Sequence, residues 1–206
     1  MPVAVEEWVA RIYETAKVAV NEVVSPVELA RRIFGRDGVR AVPAHALPGD
    51  AALCPFNGRP ILFVRKGLRP QDLHFAVAHE LAEHVIDGVD HDMTEALCNK
   101  VAGAVVLPRA SVLAMLREVG EDFTLMARRF VTTETCAALR IGEVLDKPLA
   151  LVSPERVRVR GQLSFAWPEP PVIRKWARGR TPLGLSKARL RDDARRIVLR
   201  ADGTDE

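Results

Sequence analysis

The sequence predicts an α+β fold, mainly helical with a small antiparallel sheet, and three patterns predict it. Apolar residues recur near the 3.6-residue period in residues 3–20, 27–33, 70–88 and 94–107, and two more helical stretches cover 123–130 and 133–144. Short β-prone runs at 39–42, 51–54 and 60–65 sit between the second and third of these, with Asn57-Gly58 as a hairpin turn between the last two. A second group of short runs, 149–152, 156–160 and 163–167, alternates as strands do, with Ser153-Pro154 and Gly161 turning between them.

Each element has a local cause. In the first helix Val5, Trp8, Val9, Ile12, Ala16, Ala19 and Val20 form an apolar stripe. Ser25-Pro26 is an N-cap followed by proline at the first helical position, and Val27, Leu29, Ala30 and Ile33 make a short second helix stopped by Gly35. Pro70 opens the third, whose apolar positions are Leu73, Ala76, Val77, Leu81 and either Val85 or Ile86, ending near Gly88. An acidic connector follows, Thr94 or Asp92 caps the next helix, and Pro108 marks its exit.

Composition narrows the class. With 206 residues, 22.7 kDa and 48% hydrophobic residues, the chain can build a core as one domain with appendages or as two small domains. Residues 1–20 are interrupted by Glu6, Glu7, Arg11, Glu14 and Lys17, so they contain no signal-peptide core. No apolar run approaches the roughly 20 residues needed to span a bilayer, so a soluble, cytoplasmic protein without membrane partners is expected. Cys54, Cys98 and Cys136 form no CxxC pair and are expected to be reduced thiols. Net charge is +3, but residues 172–206 hold ten Lys/Arg against five Asp/Glu, leaving 20 against 22, or −2, for the rest. Within this basic tail Arg189, Arg191, Asp192, Asp193, Arg195 and Arg196 mix signs, as on a solvated helix face.

The chemistry concentrates in His79-Glu80-Leu81-Ala82-Glu83-His84. It opens like the zinc-peptidase motif HExxH but has Glu83 where the second histidine belongs. Ligands four residues apart lie only about 40° apart around a helix, so one ion can touch both. Glu83 satisfies that spacing from His79. His84 lies about 140° away and rejoins the site only if a π-bulge absorbs one residue. The bland alternative is that both histidines are ordinary residues and no ion binds. Glu80 stands where the water-polarising glutamate belongs. A catalytic zinc commonly takes three protein ligands and a water, and Glu95, in the first turn of the next helix, is the candidate third ligand. His91 is its rival, and Cys98 lies one turn beyond Glu95 as either a thiolate donor or a small core residue. His45 and His74 have no comparable context.

Residues 75–82 (FAVAHELA), followed by 95–102 (EALCNKVA) and closed by Val105-Val106-Leu107-Pro108, resemble the ImmA/IrrE metallopeptidases, whose pattern is AHELGH, then ExxAN, then a leucine-rich stretch ended by proline. The resemblance runs from about residue 25 to residue 145. It implies a zincin-like peptidase core over 1–110 and a helical, helix-turn-helix-like region over 111–148; the strand-like runs and the charge balance add a small β hairpin region with a basic tail over 149–206. Carried over, His79 is the first metal ligand, Glu80 the catalytic acid/base and Glu95 the third ligand. Glu83 in the place of the second histidine, and a shorter connector before Glu95, are departures from the pattern.

By the same resemblance the chain is expected to be a metal-dependent endopeptidase that cleaves a repressor-like regulator in a mobile-element or stress-response switch. The alternative is a catalytically weak or inactive peptidase-fold regulator that binds a protein or DNA. Zn2+ is the expected cofactor. A second carboxylate would weaken the ion as a Lewis acid and favour a harder metal such as Mn2+. For DNA, Arg128, Arg129 and Arg140 are the phosphate-contact candidates.

Overall fold

The computed structural model describes residues 2–19, 22–86, 91–152, 157–160, 169–178, 185–189 and 197–201. These residues form an α+β chain that divides into two compact units. The first is Met1–Glu118 with Arg129–Thr132, and the second is Val119–Arg128 with Thr133–Glu206.

The first unit begins with α1 (Pro2–Thr15) and α2 (Pro26–Phe34). The Ser25 hydroxyl accepts a hydrogen bond from the Glu28 amide at 3.2 Å, Pro26 occupies the first turn, and Gly35 at φ 84° ends the helix. Next come β1 (Val39–Val42), β2 (Ala51–Phe56) and β3 (Arg59–Arg65). Asn57 and Gly58 both take positive φ, 51° and 74°, as a two-residue hairpin turn requires, and Phe56 pairs with Arg59 across it. The expected antiparallel sheet is in fact mixed: β1 pairs with β3 in parallel, so the strand order is β1-β3-β2. The crossover from β1 re-enters along the far side of the hairpin, a non-local pairing that no run of residues announces.

Two longer helices follow, α3 (Pro70–Val85) and α4 (His91–Val106). Arg69 grips Asp72 through two nitrogen–oxygen contacts of 2.7 and 3.0 Å across the first turn of α3. Val77, Ala78, Leu81 and Ala82 of α3 and Cys98, Val101, Ala102 and Val105 of α4 are fully buried. Several of these are small, and helices that meet through small side chains pack closely. The core is completed by Val9, Ile12 and Tyr13 of α1, Leu29 of α2 and Leu62 of β3. α5 (Arg109–Val119), which opens the helical region expected over 111–148 without having been delimited there, begins directly after Pro108 and buries Ser111, Val112 and Met115. No single helix among the described residues is long and apolar enough to cross a membrane.

The second unit contains α6 (Phe123–Arg129), α7 (Glu134–Val144), and a four-stranded sheet of order β5-β4-β7-β6. Its strands are β4 (Leu149–Val152), β5 (Val157–Arg160), β6 (Leu185–Arg189) and β7 (Ile197–Ala201), all antiparallel to their neighbours. α8 (Pro170–Arg178) packs Ile173 and Ala177 on Ala150, Val152 and Leu199, with Val157 and Trp176 at the margin. Where a small β hairpin region and a basic tail were expected, the described residues form a helix-covered sheet. Its last strands were hidden because Arg189 and Arg200 belong to strands whose charges break the apolar run. The candidate strand at 163–167 and the mixed-charge stretch 191–196 lie outside the described residues.

Candidate metal centre

α3 presents His79 and Glu83 one turn apart, and α4 brings Glu95 to meet them. The Nε2 atom of His79 lies 3.3 Å from Oε1 of Glu83 and 3.5 Å from Oε2 of Glu95. One donor atom from each of the three falls within 4.8 Å of the other two. Donors held about 2.1 Å from one tetrahedral ion stand about 3.4 Å apart, so the two His79 distances suit a shared cation. The imidazole is largely buried, with 17% of its side chain exposed, whereas Glu83 and Glu95 are 46% and 65% exposed. The cluster is thus anchored at its histidine and open at its carboxylates, as a site that admits an ion and a further ligand must be.

His84 is not brought to this cluster. α3 is α-helical throughout, with no π-bulge, and His84 is exposed on another side of the helix with its ring edge-on to Phe34, centroids 5.1 Å apart. The candidacy of His84 as second ligand is corrected on this ground: an undistorted helix keeps it out of phase with His79. The side chain of His91 lies outside the described residues.

Glu80 lies beside the cluster and reaches the sheet. Its Oε2 accepts a hydrogen bond from the main-chain N–H of Leu53, at 2.7 Å, on the edge strand β2. Burial pushes the Glu80 carboxyl above the usual carboxylate range; the Leu53 N–H opposes that, Glu83 adds to it and His79 subtracts from it. Nothing in the sequence spacing pointed to Leu53. It could have been found only by knowing that β2 is an edge whose N–H groups need partners.

Cys98 is fully buried below the same cluster, and burial, reinforced by Glu83, Glu95 and Glu80, pushes its thiol up to about 11. It is not among the converging donors. Asn99, one turn beyond Glu95, donates from Nδ2 to Glu95 Oε1 at 3.0 Å and to the Glu95 carbonyl oxygen at 2.9 Å. His45 is exposed. His74 is half-buried, and burial lowers its pKa against the opposing carbonyls of Phe130 and Val131.

Of the candidate phosphate contacts, Arg128 and Arg129 are exposed, but Arg140 is 2% exposed and is held by Glu143 at 3.0 Å. No residue of α7 is exposed. A recognition helix needs a free face to enter a groove, and α7 offers none.

Against known proteins, no family model matches the sequence and no curated protein does. The folded chain is similar to a Mycobacterium tuberculosis transcriptional regulator, with a TM-score of 0.64 and 16% identity, covering 97% of this chain and 88% of that one. At that identity the likeness establishes a shared fold, on which function must be argued from the site itself.

Proposed function

We propose that this chain is a peptidase-fold regulatory protein that holds a divalent cation through His79, Glu83 and Glu95 and acts on a repressor-like partner protein. The observation that carries this reading is the convergence of one imidazole and two carboxylates from adjacent helices. The shared fold with a protein titled a transcriptional regulator supports the regulatory part. The ImmA/IrrE resemblance, with its HE pair followed by ExxxN, supports the peptidase-like part.

The donor set fits a hard divalent ion such as Mn2+, and Zn2+ less tightly than two imidazoles and one carboxylate would. When bound, such an ion supplies Lewis acidity, polarising water or a peptide carbonyl. The two carboxylates temper that acidity by adding negative charge. His79 anchors the site from the buried side, and the exposed Glu83 and Glu95 close on the ion from solvent. Glu80 is tethered through Oε2 to Leu53, which leaves Oε1 as its atom for accepting a proton.

A second reading, an active endopeptidase, is favoured by one observation. Glu80 follows His79 directly, and burial raises the pKa of its carboxyl, which makes it a better proton acceptor than a solvated carboxylate. In that reading Glu80 takes a proton from the attacking water and returns it to the leaving amine.

Complementation separates the two. In a strain lacking the native gene, transcripts are compared after supplying wild type, Glu80→Gln or His79→Ala. Restoration by Glu80→Gln but not by His79→Ala supports a metal-dependent regulator that does not cleave. Failure of Glu80→Gln, with the partner protein persisting intact where wild type removes it, establishes the peptidase instead.

A further inference from the structure

We propose that Asn99 is a positioning residue for the metal centre, fixing the Glu95 carboxylate so that Oε2 is presented to the ion; this rests on the metal-binding reading above. The two oxygens of Glu95 have divided tasks. Oε1 accepts from the Asn99 amide at 3.0 Å, and Oε2 is the atom 3.5 Å from His79 Nε2. The same Asn99 nitrogen also donates to the Glu95 main-chain oxygen at 2.9 Å, so the amide is braced against the helix that carries both residues.

The need for such a brace follows from exposure. Glu95 is the most exposed of the three donors, at 65%. An exposed glutamate gives up rotamer freedom when it is fixed on an ion. His79 needs no comparable help because it is largely buried. An exposed donor whose second oxygen is held by a neighbour has part of that ordering done before the ion arrives. Partners of this kind, behind the ligand itself, typically change metal affinity ten- to a hundredfold.

The neutral amide suits the task. A lysine in its place would hold Glu95 equally well but would set a positive charge beside the cation, and an aspartate would repel the carboxylate. Only a donor without charge orients Oε1 and leaves the charge of Glu95 to the ion.

The test is calorimetric titration of the full chain with Mn2+ and, separately, Zn2+, for wild type, Asn99→Ala, Glu95→Ala and the double variant. Alanine is the better helix former, so Asn99→Ala does not weaken α4 through propensity. Circular dichroism of each ion-free variant verifies the fold. Asn99→Ala is expected to weaken binding by about ten- to a hundredfold, and Asn99→Gln, which keeps an amide, to recover part of that loss. In the Glu95→Ala background the Asn99→Ala change should have no further effect, because its only route to the ion is gone. A purely structural role for Asn99 would weaken both backgrounds alike. Wild-type affinity in Asn99→Ala, or equal losses in both backgrounds, overturns the proposal while leaving the metal site standing. An ion-free wild type overturns both.

Discussion

Glu83 and His84 are adjacent in sequence, yet about 100° of helix rotation separates them, and that rotation decides which one shares a cluster with His79. Because the separation comes from an undistorted α3, it can be exploited at a single position. Glu83→His restores the two-histidine spacing of HExxH and exchanges a charged oxygen donor for an imidazole. The ratio of Zn2+ to Mn2+ affinity is expected to rise on the order of tenfold or more, read by competitive titration; an unchanged ratio would mean that residue 83 does not touch the ion. Another residue-scale consequence concerns Tyr13, the sole tyrosine of the chain. It is fully buried, its hydroxyl donates to the Val105 carbonyl at 3.5 Å, and burial, with a smaller push from Glu22, raises it from 10.0 to about 12. An acid whose pKa is raised on folding favours the folded state in its protonated form. Its contribution is therefore complete below about pH 10 and is lost as pH rises from there to about 12, a loss of roughly 3 kcal/mol for two pKa units. Tyrosinate absorbance should appear only near pH 12 or together with loss of far-ultraviolet dichroism. Ionisation near pH 10 in a native fold would contradict the burial.

At the scale of elements, small residues set how closely layers meet. Gly142 of α7 lies against Leu149 of β4: a Cβ added there would collide with Leu149 Cδ2, stand 3.2 Å from its Cγ and 3.4 Å from the Lys147 carbonyl oxygen. Leu149 is itself 3% exposed and has little room to turn. Gly142→Ala should cost about 1–3 kcal/mol through overpacking, despite the better helix propensity of alanine. Denaturant unfolding measures this, and a stabilised variant would contradict the packing. The same scale shows what residue patterns can and cannot disclose. Ser25-Pro26, Asn57-Gly58 and Pro70 marked their boundaries because capping and turn chemistry act within a few residues. The stripe of α3 was legible because helical period and burial coincide. α5 was not delimited because it follows Pro108 without a gap, although Val112, Met115, Leu116 and Val119 recur at helical spacing. The parallel partner of β1, the Leu53 bond to Glu80 and the last two strands depend on residues far apart in sequence, and local pattern carries no record of them. Within the candidate centre, the 79–83 spacing was local and readable, whereas the approach of Glu95 depends on how α4 folds back along α3.

The molecule as a whole divides into a unit that carries the candidate metal donors and a unit built on a helix-covered antiparallel sheet. The first brings the largely buried imidazole of His79 together with Glu83 and Glu95, beside a glutamate tied to an edge strand. In the second, no residue of α7 is exposed and Arg140 is paired with Glu143, whereas α8 exposes Val172, Lys175 and Arg178. The proposed function depends on the ion. Titration of the full chain with Mn2+, comparing wild type, Glu83→Ala and His84→Ala, tests it most directly. One ion per chain should bind to wild type and to His84→Ala with the same affinity, while Glu83→Ala should lose at least tenfold, the usual scale for a missing ligand or its support. Binding that survives Glu83→Ala but is lost in His84→Ala, or no binding to the wild type, would contradict it.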